Sequence, residues 1–289
     1  MSEKNDVLVD FGSIEKNLRK YKIKEKGVQA IETEKIVGSL GRYRDFSENL
    51  LPRHGDSGLR YESIKQCLLN GVNFPPIKVY QVLDSYFVID GHHRLMAARK
   101  VFNAKYIDAE VLEVHFEFEI SPNKSYSYDT EKAREFLIKL EEHFFQKKTF
   151  LSNAVLKRPL KVTELKSYGK LYEEIENYRA SANSGEFQKK HIFFASYSWY
   201  EKRFLPAVEI MDENNILDGF PNRTYTDLYV WIQQHKYYLS QKTGYDVGFD
   251  FTAHDFLKKY KKSKGLYMLP SKIKEVVKNI KEQIDKMKG

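Results

Sequence analysis

Apolar and polar residues alternate strictly over residues 112–120. Leu112, Val114, Phe116, Phe118 and Ile120 are separated by Glu113, His115, Glu117 and Glu119. A period of two predicts a strand with one buried face. Pro75-Pro76 opens another extended run over 77–83, and Asp84-Ser85 turns the chain into a third over 86–89. Ala30-Ile31 and Ile36-Val37 predict short extended pieces ahead of Gly38. Between them, residues 61–70 carry a helical pattern with Ile64, Cys67 and Leu68 on one face, and Gly71 stops it. A further helix is predicted over 92–102. Residues 1–29 are charged and weakly patterned, and predict an arm or a peripheral helix.

Ser121-Pro122-Asn123-Lys124-Ser125 has the composition of a junction. Beyond it the pattern turns helical, with helices predicted near 129–147, 163–181, 187–214, 223–242 and 250–262. Gly185, Gly219-Phe220-Pro221-Asn222 and Thr243-Gly244 separate them. A last helix over 271–288 carries Ile273, Val277, Ile280, Ile284 and Met287 at coiled-coil spacing. The expected organisation is α+β: an arm (1–29), a mixed α/β domain (30–120), a helical domain (121–262) and an amphipathic C-terminal helix (263–289).

Charge changes this picture only at one end. Residues 1–120 hold equal numbers of basic and acidic side chains, 18 of each. The segment 258–289 holds 11 lysines against three acidic residues, which accounts for the whole net charge of +8. The basic character is thus local to the tail. No apolar run is long enough for a membrane span and no secretory leader is evident. The single cysteine, Cys67, excludes an internal disulfide and a cysteine-rich zinc site. A cytoplasmic protein is expected.

The chemistry concentrates in Asp90-Gly91-His92-His93-Arg94, a turn between a strand and a helix. Gly91 permits a positive φ and close backbone approach. The helix that starts there favours an anion at its N-terminus. Arg94 can offer a planar fork to phosphate oxygens, and His92 and His93 add donors. Asp90 is suited to orienting a histidine, holding Mg²⁺, accepting a proton, or capping the helix. Arg94 can equally be a structural ion-pair partner. Adjacent histidines diverge on a helix and no third ligand stands nearby, so no protein metal site is expected. Arg42, Arg44, Arg53, His54 and Arg60 crowd two preceding loops and are further candidate phosphate contacts, or else solvated surface charge.

These residues resemble the ParB N-terminal/sulfiredoxin superfamily over roughly 30–120. The likeness rests on Pro75, Pro76, Ile77 and Val79, on Asp90-Gly91-His92-His93-Arg94, and on Ala97-Ala98. Gly91, Arg94, Ala97 and Ala98 match the ParB turn that binds CTP phosphates. His92 and His93 match the Gly-His-His-Arg turn of ParB-like free serine kinases better. The resemblance implies a nucleotide (ATP, ADP or CTP) with Mg²⁺, and phosphoryl transfer or hydrolysis as a kinase or NTPase. Asp90, His92, His93 and Arg94 are its catalytic candidates, and an acidic base is sought among Glu32, Glu34, Asp45 and Glu48. His92 stands where sulfiredoxin needs a cysteine, so that activity is not expected. The downstream nucleotide motif and helix-turn-helix of partition proteins are not found.

A group of bacterial ParB-like proteins is similar over the whole chain. The likeness runs through residues 41–45 and 51–54 and through Phe220, Pro221, Arg223, Thr224, Asp227, Leu228, Tyr229 and Trp231. It implies an architecture and no activity. The alternatives to an enzyme are a DNA-binding regulator or nuclease using the lysine tail, and a non-catalytic scaffold. The tail seam packs within the protein or at a homo-oligomer interface. Aromatics among basic residues (His191, Tyr197, Trp199, Tyr200, Trp231, His235, Tyr237 and Tyr238) predict core packing ahead of a nucleic-acid stacking surface.

Overall fold

The computed structural model describes residues 8–41, 55–72, 74–181 and 191–260. The fold is α+β, a six-stranded mixed sheet with a helical C-terminal part. The chain divides into two compact units. The first comprises residues 1–119 and 125–140, and the second residues 120–124 and 141–289.

In the first unit the strands run β1 (Val9–Asp10), β2 (Arg19–Glu32), β3 (Ile36–Ser39), β4 (Ile77–Val82), β5 (Ser85–Asp90) and β6 (Tyr106–Glu117). Their spatial order is β1-β3-β5-β4-β6-β2. β1, β3 and β5 are mutually parallel, while β4 joins β5 as an antiparallel hairpin. Strand alternation sorts the core into two faces. Val79 pairs with Val88 and Val111, and this face packs with Leu95 and Met96 of α3 (His92–Phe102). Tyr80 pairs with Phe87 on the other face. There they meet Phe11 of α1 (Phe11–Glu15), and Phe87 meets Phe136 edge-on at 5.2 Å. α2 (Gly55–Leu69) precedes β4 and carries the half-buried Cys67.

The described part of 1–29 is not an arm. It forms β1, α1 and most of β2, which pairs antiparallel with β6 from Arg19 to Glu32. Lys20, Lys22, Lys24 and Lys26 alternate there with Tyr21, Ile23 and Glu25, yet nearly every residue from 19 to 28 is exposed. The strand is held by its ladder to β6, with no buried face to leave a hydrophobic period. β6 likewise starts earlier and ends sooner than the apolar alternation suggests, since Tyr106–Glu110 extend the same period in weaker residues. α2 begins at Gly55, where turn-forming residues predict a loop.

Helix α4 (Glu131–Thr149) runs across the division between the units. In the second unit follow α5 (Ser167–Ala180), α6 (Ile192–Trp199), α7 (Leu205–Glu213), α8 (Tyr225–Thr243) and α9 (Phe249–Tyr260). A π-helical turn, Tyr200–Phe204, joins α6 to α7. Pro206 follows it in the first turn of α7. Proline cannot donate to the carbonyl four residues back and its ring crowds that carbonyl, so the turn before it widens. Trp199, Tyr168, Tyr229, Phe145 and Phe204 are fully buried and form the aromatic core of this unit. Trp199, Tyr200 and His235 belong to the packed interior, whereas Tyr237 and Tyr238 are exposed. Among the described residues no helix is long and apolar enough to cross a membrane. The tail from residue 261 onward, including the predicted final helix, lies outside the described residues.

Candidate functional site

β3 and β5 lie side by side and parallel, so Ser39 and Asp90 bring two carboxyl strand ends together. In open sheets that edge is where ligands gather. Gly91 then turns the chain with φ +100°, in the left-handed region, and α3 starts at the next residue. A Cβ on Gly91 would stand 2.5 Å from Ile77 Cγ2 and 3.1 Å from Arg94 Nη2. Both the backbone angle and the lack of room therefore demand glycine here. Gly38, in β3, is similarly pinned: a Cβ there would meet the Val9 carbonyl at 2.3 Å and the Phe87 ring at 2.4 Å. This tight seam sets the position of Ser39.

His92 and His93 occupy the first turn of α3 and are both buried. His92 Nε2 hydrogen-bonds Ser39 Oγ at 2.5 Å, in the interior. Ser39 is the residue that the sequence reading misses. Its partner is 53 positions away, and only the parallel pairing of β3 with β5 brings the two together. The signal available in sequence is slight, a Gly-Ser ending a short apolar run.

Arg94 is held on two sides. Its Nη1 donates to the Pro75 carbonyl at 2.5 Å and the Pro76 carbonyl at 3.0 Å, and its Nη2 donates to Asp90 Oδ2 at 2.5 Å. The Arg94 side chain is 16% exposed and that of Asp90 74%. The guanidinium thus ties the start of β4 to the turn. Asp90 serves it as a surface counter-ion at i,i+4, in place of capping α3.

The remaining candidates are dispersed. Arg42, Arg44, Asp45, Glu48, Arg53 and His54 lie outside the described residues, as does the side chain of Arg60. Glu32 pairs with Lys35 at 2.7 Å, and Glu34 is exposed beside it. Both precede β3, at the end of that strand away from His92. Among the described residues no three His, Cys, Asp or Glu side chains cluster as metal ligands.

The second unit accounts for its own motif through packing. Thr224 caps α8 in a reciprocal box with Asp227. Fully buried, Asp227 also accepts from Thr163 N and Thr163 Oγ1, both at 2.9 Å. Arg223 pairs with Glu164 at 3.1 Å and lies over the Trp231 ring, whose Nε1 donates to Glu164 at 3.0 Å. Tyr229 OH donates to Glu174 at 2.6 Å, and Trp199 Nε1 donates to the same carboxylate at 3.0 Å. Burial pushes the Glu174 carboxyl above its ordinary range, and these two donors pull it part of the way back.

Residues 152–260 match the family described as "Domain of unknown function (DUF4032)". Among solved structures the chain is similar to sulfiredoxin from Arabidopsis thaliana, at 20% identity and a TM-score of 0.23, covering 29% of this chain and 82% of that one. It is also similar to a Pnob8-like ParB-N domain, at 11% identity and a TM-score of 0.22, covering 90% of this chain and 98% of that one. No curated protein matches it.

Proposed function

We propose that the first unit binds a phosphate-bearing ligand, a nucleotide, at the N-terminal end of α3, and uses it for phosphoryl transfer or hydrolysis. The observation that carries this reading is the turn at Gly91. It is a left-handed glycine with no room for a side chain, set at the joined ends of two parallel strands and opening a helix of 11 residues. A phosphate there accepts from first-turn amides of α3 and gains from the helix dipole. His92 and His93 line the position, and a nearby phosphate favours their charged forms. Arg94 reaches the ligand by exchanging Asp90 for a phosphate oxygen while its Nη1 stays on the proline carbonyls. Asp90, once released, is the carboxylate available to a Mg²⁺ ion shared with the phosphates, since such ions need only one or two protein carboxylates. Charge stabilisation and positioning then carry the chemistry.

The test is a calorimetric titration of ATP, ADP, CTP and GTP with Mg²⁺ into the full chain, repeated with Asp90→Asn and His93→Ala. We expect one nucleotide to bind saturably. Asp90→Asn should still bind it, since losing the anion that competes for Arg94 offsets losing the Mg²⁺ carboxylate, and should lose turnover. His93→Ala should weaken it about tenfold, the loss of one charge-assisted hydrogen bond. Absence of saturable binding by all four nucleotides overturns the reading.

A further inference from the structure

A concave site lies at the other end of β3. It is a groove of about 400 Å³, entirely within the first unit and within the size range of small-molecule pockets. Ile36, the first residue of β3, lines it, while Ser39 at the far end of the strand touches His92. Three residues of strand separate the two places by roughly 10 Å.

The groove is walled by charge. Arg99 projects from the last turn of α3. Lys132, Glu135, Phe136 and Lys139 line the facing wall at i, i+3, i+4 and i+7 of α4, which is one helix face. Glu34 completes the rim. Three cations thus meet two carboxylates, with the Phe136 ring as an apolar floor.

Arg99 is the telling residue. It is half-buried, and burial disfavours its charge, with only the field of Glu34 acting in the opposite direction. One of its guanidinium nitrogens, Nη2, donates to the Thr33 carbonyl. Among the described residues no carboxylate forms an ion pair with it, and Lys139 has none either. A guanidinium carries five N–H donors in a fixed fork. A half-buried one with a single carbonyl partner, facing an open groove, has donors to offer an oxyanion there.

We infer that this groove binds a small oxyanion, a carboxylate or phosphate group held by the Arg99 fork and flanked by Lys139, at a site separate from the 90–94 turn. Glu34 and Glu135 set its selectivity, since a ligand rich in negative charge is repelled at the rim while a singly or doubly charged one is held by Arg99 and Lys139. The inference does not depend on nucleotide binding at Gly91.

The experiment is a titration of the ¹⁵N-labelled full chain with inorganic phosphate and, separately, with propionate, at low salt. Saturable shifts are expected for amides around Arg99 and 132–139, with a dissociation constant of about 1 mM or below. Saturation by propionate alone assigns a carboxylate ligand, and saturation by phosphate alone a phosphate ligand. Shifts confined to residues 91–94 place the anion at the turn and overturn the inference, as does a lack of saturation by either anion up to about 20 mM. Arg99→Gln should weaken binding about tenfold. Because Arg99 also bonds Thr33, the exposed Lys139→Glu provides a variant that leaves the packing untouched, and should weaken binding about threefold. Unchanged affinity in both variants overturns the assignment.

Discussion

Two helix starts in this molecule carry dense polar motifs, and they use them in opposite ways. At α8, Thr224 and Asp227 cap the helix reciprocally, and Asp227, which is fully buried, binds the half-buried Thr163 as well, so the carboxylate of this motif is turned inward. At α3 the N-cap is Gly91, which has no side chain to cap with, and Asp90 turns outward to Arg94. A helix start that closes on its own side chains is a fixture of the fold. One that begins on a glycine at the ends of parallel strands has no capping side chain at its N-cap. Motif density alone does not distinguish the two; the direction of the carboxylate does.

The comparison can be broken most forcefully at Asp227. Replacing it with alanine removes the one buried carboxylate that holds the half-buried Thr163 and Thr224 donors together, and should destabilise the second unit by about 3–5 kcal/mol in urea unfolding. A loss below about 1 kcal/mol would mean the motif is not a structural brace. Gly91→Ala should cost less, about 2–3 kcal/mol, from the positive φ and the clash with Ile77. It should also remove phosphate binding, which Asp227→Ala, where folded, should leave intact. If Gly91→Ala retains both stability and ligand, the turn is not the constrained site described above.

The smallest effect is a pH dependence in the second unit. His254 is held below its ordinary pKa by burial, Asp250 acting weakly in the opposite sense from 3.7 Å. A histidine whose folded pKa is depressed binds fewer protons than the unfolded chain, so stability falls as pH drops below about 6.5 and recovers above it. His254→Phe should flatten that acid limb in thermal unfolding between pH 5 and pH 8, leaving only the carboxylate contribution from groups such as Asp255. There, burial raises the pKa, but hydrogen bonds from His235 and Lys259 more than offset it. An acid limb equally steep in the variant would remove His254 from the account.

How much of this was legible in sequence follows from how local each feature is. The helix over 92–102 and its preceding strand are written in adjacent residues, and the structure has α3 over the same span. The helices of the second half carry a 3.6-residue period with glycine breaks, and their positions agree closely. β2 is illegible by hydrophobic period because its residues from 19 to 28 are exposed on both sides. The contacts at the turn are illegible for another reason. Ser39 meets His92, and Pro75 and Pro76 meet Arg94, across long sequence separations that only strand pairing closes. Sequence shows that Arg94 can fork; the fold decides onto what.

The π-helical turn ahead of Pro206 bears on which lengths this chain tolerates. Trp199, Tyr200 and Phe204 are buried on one side of it, and Ala207, Val208 and Met211 on the other. A π-turn holds one residue more than the α-helical turn it replaces, and the wider turn absorbs that residue without turning the helix that follows. Deleting one residue there would let an ordinary α-helical turn close with Met211 still on the aromatic core and Glu209 still exposed, whereas the same deletion elsewhere in α6 or α7 would turn the segment after it by about 100°. A gap of one position at 200–204 is thus the length change that this helix pair absorbs, and the same gap on either side of it is a change of face.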